Sequence, residues 1–281
     1  TYSFALDNAS AAVQSLNASD VIEQTLTYRI TDADGDSSPA SVTIKIVGAD
    51  DAAKVTVSAE GADSTVYEAG LNPNGSAAAG NSETDSDSFQ VSASDGIKSV
   101  VVGGETFTLA QLKDAAYLAA NTINTGEGTL TLTGYSGDAG DMSATITYSY
   151  TLDSAQTHTQ PGNDTTLSDS VVVTVNGVGG SSDTANLTID IIDDVPKATA
   201  DGTQTVTEDG TTSVNGNVLS NDQYGADGAH ATPATAFSWD ANGAAKAALA
   251  VYGTLLLNTD GTYSFALDNA SAAVQSLNAS D

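Results

Sequence analysis

Apolar and polar residues alternate along several segments of this chain, with the two-residue period of half-buried β-strands. SVTIKIV (41–47), ATITYSY (144–150) and NLTIDII (186–192) each place three large side chains on one face. Turn residues such as Gly, Asp, Asn and Ser separate the segments at short intervals. This spacing favours antiparallel β-sandwiches over a sheet with helical crossovers, so the pattern predicts an all-β protein. Helical turns are predicted only for 11–16, 109–121 and 272–277.

The first 20 residues, TYSFALDNASAAVQSLNASD, recur without change at 262–281. Such an identity indicates an internal repeat, because long repeats rarely arise by accident. The simplest interpretation is a window of a longer tandem array, whose period of 261 residues is the offset from position 1 to position 262. The alternative is a natural protein with two unrelated copies of one strand segment.

Two acidic pairs, Asp50-Asp51 and Asp193-Asp194, each follow a predicted strand and precede a new start. We interpret both pairs as domain boundaries. VYEAG (66–70) and VTEDG (206–210) come at corresponding places after them, so the units share one ground plan. The predicted units are the C-terminal part of one sandwich at 1–51, a central sandwich at 52–194, and the N-terminal part of the next sandwich at 195–281.

Several motifs, taken in order, resemble repeats of giant bacterial surface proteins. LTYRITDADGDSSPASVTIKIVGADD (26–51) and NGNVLSND (215–222) resemble the VCBS-type repeat. SASDGIKSVVVGG (92–104), TYSYTLD (147–153) and NLTIDIIDDVP (186–196) resemble the 143-residue repeat of type I secreted adhesins of the RTX class. The resemblance covers nearly the whole chain.

That resemblance implies tandem immunoglobulin-like or cadherin-like antiparallel β-sandwiches, with neighbouring repeats of the same chain as partners. It also implies Ca²⁺ binding, type I secretion and an extracellular place on the surface of a Gram-negative bacterium. Such modules are extenders, which hold a distal binding domain away from the cell for adhesion and biofilm formation.

The charge balance is extreme, with 36 Asp and Glu against 7 Lys and Arg and a formal net charge of −29. Such a chain should repel nucleic acid and anionic membrane surfaces. It has no run of about 18 apolar residues, so no membrane insertion is expected. The absence of cysteine excludes disulfides and thiolate chemistry. The carboxylates are either a generally acidic surface or, in part, ligands for hard divalent cations.

TDADGD (31–36) places Asp32, Asp34 and Asp36 around Gly35 in a predicted hairpin loop. A glycine turn can aim three carboxylates at one centre, which suits Ca²⁺. The alternative is a solvated acidic turn, since Asp and Gly favour turns anyway. The corresponding loop NGVGG (176–180) has no carboxylate, so no calcium site is expected there.

The acidic junctions are the second candidate cation sites. Glu68 follows the pair Asp50-Asp51 and Glu208 follows the pair Asp193-Asp194, so each glutamate could approach the junction that precedes it. A cation held there would stiffen the linker, and carboxylate repulsion without it would let the modules flex. The alternative is an ordinary linker turn with hydrogen-bonded Asp residues.

Catalytic signals are weak. His158 and His230 are the only histidines, and both lie in polar segments where surface histidines are expected. We therefore predict a non-catalytic extender repeat; the alternatives are a glycan- or cell-binding module and, more distantly, a carbohydrate-active enzyme. Because the terminal units are parts of one split sandwich, end-to-end self-association is also expected, with the tail of one molecule completed by the head of the next.

Overall fold

The computed structural model describes residues 1–50, 52–56, 63–158 and 167–277. The chain folds into two compact units, each made of three segments. The first unit comprises Thr1–Tyr67, Glu83–Ser154 and Asp164–Ile192. The second unit comprises Glu68–Ser82, Ala155–Asn163 and Asp193–Asp281. Asp51, one of the predicted ligands, lies outside the described residues.

The first unit is built almost entirely from strands joined by short turns. Its strands are β1 (Val21–Thr31), β2 (Ser37–Val47), β3 (Ala53–Thr56), β4 (Ser64–Tyr67), β5 (Thr84–Ala93), β6 (Ile97–Val102), β7 (Glu105–Thr108), β8 (Ile123–Asn124), β9 (Gly128–Gly137), β10 (Ser143–Leu152), β11 (Ser168–Gly177) and β12 (Ser182–Ile192). Its helices are α1 (Ala11–Gln14), α2 (Leu109–Leu112) and α3 (Ala115–Ala120).

Ten of these strands form a β-sandwich of two five-stranded sheets, ordered β3-β5-β10-β9-β8 and β4-β12-β11-β6-β7. With β3, β5, β6, β9, β10, β11 and β12 taken as strands A to G, the sheets contain the ABED and CFG arrangements of the immunoglobulin fold. The neighbouring strands pair antiparallel except β4, which runs parallel to β12. The predicted all-β fold with immunoglobulin-like antiparallel sandwich architecture is therefore confirmed. Both sheets lie within the predicted central unit, 52–194, whose boundaries stay a prediction.

The core of the sandwich follows from the alternation along its strands. In β12 the odd-numbered residues Leu187, Ile189 and Ile191 are buried, as the sequence pattern predicts. Two tyrosines of β10 are also buried, because each phenol has a polar partner. The hydroxyl of Tyr148 lies 2.8 Å from Ser64 Oγ, and that of Tyr150 donates to Asp169 at 2.8 Å.

The two short helices of the sandwich confirm the helical turn predicted for 109–121. Thr108 caps α2 in a capping box with Gln111, whose side chain accepts a hydrogen bond from the Thr108 backbone N–H. Asp114 caps α3 by accepting from the backbone N–H groups of Ala116 and Tyr117. Polar caps of this kind satisfy the first N–H groups of a helix and fix where it begins.

Strands β1 and β2 form a separate two-stranded antiparallel hairpin, paired from Val21–Val47 to Thr31–Ser37. One face of the hairpin is polar: Thr25 Oγ1 lies 2.9 Å from Thr43 Oγ1, and Lys45 pairs with Glu23 at 3.6 Å. The other face is apolar and carries Leu26 and Val42 opposite one another. The alternation predicted for 41–47 is therefore present in β2.

The second unit contains a three-stranded antiparallel sheet, in which β15 (Thr262–Leu267) lies between β13 (Ser213–Asn217) and β14 (Gly253–Leu257). Phe265 on its central strand is buried, and Trp239 Nε1 donates to the backbone O of Asn258. Among the described residues, no helix is long and apolar enough to cross a membrane. The elements of this unit are β13 (Ser213–Asn217), β14 (Gly253–Leu257), β15 (Thr262–Leu267), α4 (Pro233–Ala236), α5 (Gly243–Ala250), α6 (Ala272–Gln275) and 3₁₀ turns at Glu68–Gly70 and Val218–Asn221.

Candidate metal centre

Glu68, His158 and Asp193 meet in the second unit. Each offers one ligand atom, and the three atoms lie within 4.8 Å of one another. The side chains of Glu68 and His158 are 0% and 1% exposed. The expectation of a surface histidine is therefore wrong for His158, because the fold buries its ring against a carboxylate. His230 is exposed, as expected.

The parallel pairing of β4 with β12 explains why Glu68 and Asp193 are neighbours. In that register Tyr67 lies opposite Ile192, the last residue of each strand. The next residue along each chain segment is Glu68 in one case and Asp193 in the other. Parallel strands end at the same edge of a sheet, so the two carboxylates leave the sheet side by side.

One oxygen of the buried Glu68 carboxylate accepts a hydrogen bond, and the other has no partner among the described residues. Oε1 accepts a hydrogen bond from the backbone N–H of Gln156 at 2.6 Å and lies 3.1 Å from His158 Nε2. Oε2 is buried and has no hydrogen-bond partner among the residues that the structure describes. Burial raises the pKa of Glu68, and the contacts with Gln156 and His158 oppose that rise only in part.

Two more carboxylates lie close to this cluster. Asp194 is buried and accepts hydrogen bonds from the backbone N–H and the hydroxyl of Ser76, at 2.7 and 2.5 Å. Asp227 is exposed; partial burial raises its pKa, as do the negative charges of Asp193 and, more weakly, Asp194. Glu68, Asp193 and Asp227 therefore place three carboxylates near one imidazole, and Asp194 adds a fourth negative charge beside Asp227. Such an arrangement is electrostatically costly without a cation.

The donor set fits a hard divalent cation. Ca²⁺ is bound by six to eight oxygens, largely from carboxylates and backbone carbonyls. The imidazole is a ligand type that suits transition metals, but His158 Nε2 lies against Oε1 of Glu68 and leaves Oε2 facing no protein donor among the described residues. Glu68 Oε2 and the carboxylate of Asp193 are therefore oxygen donors that this cluster can offer to an ion.

The loop between β1 and β2 brings Asp32, Asp34 and Asp36 together, with ligand atoms within 4.8 Å of one another. All three residues are exposed. Asp32 Oδ1 accepts from the backbone N–H groups of Gly35 and Asp36, at 3.0 and 2.8 Å. A hydrogen bond with the Asp34 side chain is the main cause that lowers the pKa of Asp32. The loop is thus organised by its own hydrogen bonds, which the solvated-turn alternative also allows.

The first acidic junction lies in the first unit. Asp50 Oδ1 accepts from the backbone N–H of Ala18 at 2.9 Å. Asp95, which is buried, accepts from the backbone N–H of Gly179 and keeps Oδ1 without a hydrogen-bond partner among the described residues. A Cβ atom at Gly179 would clash with Asp50 and Asp95 together. The loop 176–180 has no carboxylate of its own, but the fold places two beside it.

Glu208 does not belong to the cluster of Glu68 and Asp193. It is only half-buried, and its Oε1 accepts from Gln275 Nε2 at 2.6 Å. The order of motifs along the chain predicted Glu208 at the junction Asp193-Asp194 and Glu68 at the junction before it. The structure places Glu68 at Asp193, because strand pairing brings the start and the end of one sandwich to the same edge. Neither this pairing nor the roles of His158, Asp95 and Asp227 had a signal in the local sequence.

No family model matches the chain, and no curated protein matches it either. Among solved structures, the chain is similar to the crystal structure of the protocadherin GammaB4 extracellular domain. The identity is 14%, the match covers 87% of this chain and 32% of that chain, and the TM-score is 0.28. The chain thus spans about a third of that structure, and a likeness at this TM-score carries no argument about fold or function.

Proposed function

We propose that this chain is a non-catalytic, calcium-stabilised extender repeat of a giant bacterial surface adhesin of the RTX type. Its place is extracellular, on a Gram-negative cell, where it projects a distal binding domain for adhesion and biofilm formation. One observation carries the calcium part of this proposal. Glu68 Oε2 is buried and has no hydrogen-bond partner among the described residues, and the Asp193 carboxylate lies beside Glu68. The motif resemblance described above supports the adhesin class.

Leaving the Glu68 carboxylate without a cation carries an energetic cost. A buried carboxylate without full hydrogen bonding is destabilising, and neighbouring like charges add to that cost. His158 can offset one negative charge at most, while Asp193 and Asp227 add two more nearby and Asp194 adds a third beside Asp227. A divalent cation at Oε2 would supply the missing partner and offset two of the negative charges of the cluster.

The same ion would act as a mechanical cross-link. Glu68 lies directly after β4, and Asp193 directly after β12. An ion shared by their carboxylates would join these two segments and fix the backbone where the chain leaves the last strand of the sandwich. Removing the ion would leave mutually repelling carboxylates at that point, and the local backbone should loosen. An extender needs such local stiffness in order to hold its distal domain away from the cell.

Thermal unfolding with Ca²⁺ and with EDTA, at matched ionic strength, tests the proposal. Ca²⁺ at about 100 times its dissociation constant should stabilise the fold by about 2.7 kcal/mol, or about 5–10 °C in Tm. Glu68→Gln should lose most of this shift, whereas Glu105→Gln, an exposed control in the same sandwich, should keep it. Small-angle scattering on the same samples should show a more flexible particle in EDTA.

Two outcomes would contradict the proposal, and a third would remove its preference for Ca²⁺. Equal melting temperatures in Ca²⁺ and EDTA would mean that the carboxylates form a solvated acidic surface. A calcium shift that survives Glu68→Gln but is lost in Asp34→Asn would move the ion to the loop between β1 and β2. An equal shift with Mg²⁺ at the same concentration would show a site without preference for the larger cation.

A further inference from the structure

The hairpin β1–β2 carries an apolar face that the structure leaves uncovered. Its register sets Ile22 opposite Ile46 and Leu26 opposite Val42, so the even-numbered residues of both strands share one face. On that face Leu26, Tyr28 and Ile30 are 55%, 55% and 66% exposed. A two-stranded hairpin is marginally stable alone, and its stability requires additional strands or packing against another element.

The sandwich shows what covers such strands. SVTIKIV of β2 matches NLTIDII of β12, and the matching side chains in β12 are fully buried against the opposite sheet. In β2 the corresponding residues Val42, Ile44 and Ile46 keep intermediate exposure. The hairpin is therefore a counterpart of β11–β12 that lacks its opposing sheet.

The three-stranded sheet of the second unit also lacks an opposing layer. GTLLL of β14 matches GTLTL at the start of β9, and TYSFAL of β15 matches TYSYTL within β10. In the sandwich, the matching residues of β9 and β10 are fully buried. In the second unit, Leu255, Leu257 and Tyr263 are only half-buried. This sheet therefore lacks the kind of partner that β11–β12 provide for β9–β10.

Residues 1–6 do not supply the missing strand to the hairpin. They have the same sequence as β15, yet they form no strand, and Tyr2 and Phe4 are 74% and 55% exposed. In β15 the same six residues are paired on both sides, with β13 and β14. The position between β13 and β14 is thus already occupied. What remains partly uncovered on that sheet is the face that carries Leu255, Leu257 and Tyr263.

We propose that the apolar face of hairpin β1–β2 of one molecule docks on the face of the sheet β13-β15-β14 of a second copy. The contact would reproduce, between two molecules, the packing of β11–β12 on β9–β10 within the sandwich. Each molecule has both faces, so the contact is heterologous and propagates into rings or open chains. This inference goes beyond the extender proposal and does not depend on Ca²⁺.

Sedimentation and light scattering over a range of concentrations test the docking, in EDTA so that metal plays no part. About 0.15 M NaCl limits the range of charge repulsion to about 8 Å. The parent should form dimers and larger species as concentration rises. Leu26→Asp on the hairpin face and Leu257→Asp on the sheet face should each abolish this association. Thr27→Asp, on the polar face of the same strand as Leu26, should associate like the parent.

Mixing the two face variants gives the sharpest result. Each variant retains one intact face, so an equal mixture should yield dimers and no larger species. Should Leu257→Asp fail to fold, as judged by Trp239 fluorescence, an excess of Leu26→Asp serves in its place. Its intact sheet face should cap the hairpins of the parent and shorten the parent assemblies.

A parent that stays monomeric at every concentration would overturn the docking. So would unchanged association of Leu26→Asp, because that face would then play no part. Loss of association in Leu26→Asp together with full association in Leu257→Asp would mean that two hairpins pack on each other, which the proposal excludes.

Discussion

Residues 1–6 and β15 have the same six amino acids in different structures. In the first copy the segment forms no strand, and the Phe4 side chain is 55% exposed. In the second copy it is the central strand of a sheet, and Phe265 is 7% exposed. The difference lies entirely in the neighbours, since β13 and β14 supply hydrogen bonds and apolar contacts to the second copy alone.

The following residues of the two copies behave alike. AAVQ forms a short helix in both, as α1 and as α6, and the helix has corresponding ends. Only its surroundings differ: Ser271 accepts a hydrogen bond from the backbone N–H of Val274, whereas Ser10 makes no side-chain cap bond. The hydrogen bonds of a helical turn join residues close in sequence, whereas those of a strand join it to residues distant in sequence.

A second matched pair teaches the same lesson about the site. Glu68 in VYEAG and Glu208 in VTEDG hold corresponding sequence positions. Glu68 is fully buried beside His158 and Asp193, while Glu208 is only half-buried and accepts a hydrogen bond from Gln275. The motif alone therefore does not decide whether its glutamate is buried beside a second carboxylate; the strand pairing that precedes it does.

Truncating the two phenylalanines should give the largest difference. Phe265→Ala should lower the free energy of unfolding by about 3 kcal/mol, since it removes a buried ring from a sheet. Phe4→Ala should change it by less than about 0.5 kcal/mol, as surface substitutions do. Urea unfolding followed by Trp239 fluorescence, for the second unit, and by circular dichroism, for the chain, measures both. Equal effects would show that residues 1–6 are packed in solution.

The pH dependence of stability should distinguish Glu68 from Glu208, by a smaller free energy than the two phenylalanine substitutions differ. Burial raises the pKa of Glu68 above its ordinary value of 4.5. As the pH rises from that value through the folded-state pKa, the unfolded chain loses its proton first, so the free energy of unfolding falls and stays lower. Each unit of pKa rise corresponds to about 1.4 kcal/mol.

In EDTA at neutral pH, Glu68→Gln should therefore be more stable than the parent, and its stability should lack this fall. In Ca²⁺ the order should reverse, because the variant loses a ligand. Urea unfolding between pH 4 and 8, with Glu208→Gln as the matched control, provides the measurement. The same fall in the parent and in Glu68→Gln would assign it to another group.

Substitutions of the two N-cap serines, Ser10 and Ser271, should show the smallest difference in stability. Ser271→Ala should cost about 1 kcal/mol, the usual loss when a capping side chain is removed, and Ser10→Ala should cost close to none. Urea unfolding of the two variants beside the parent measures the difference. A similar cost at both positions would mean that Ser10 also caps its helix in solution.

Much of the strand pattern was predictable from alternation. The segments 144–150 and 186–192 are strands whose apolar faces build the core, and the helical turns at 11–16, 109–121 and 272–277 are present. The helix α5 was not predicted, since its Ala-rich sequence shows no clear apolar stripe. Period and turn residues are local properties, so they can be recognised without knowledge of the fold.

The candidate site was predictable only in its ingredients. Glu68, Asp193 and Asp194 were recognised as acidic residues near junctions, but the grouping of Glu68 with Asp193 required the parallel register of β4 on β12. His158 belongs to the cluster, although its segment has the sequence of an ordinary polar loop. Distances between side chains that are about 90 residues apart in sequence are set by chain packing, which no local pattern encodes.

The sequence by itself determined which residues alternate, where turns and short helices form, and how much negative charge the chain carries. The tertiary structure alone decided which copy of TYSFAL becomes a strand and which of two matched glutamates is buried. The reason is the range of the interactions. Helical turns and caps are completed within about four residues, whereas strand pairing, burial and the clustering of carboxylates depend on segments that only the folded chain brings together.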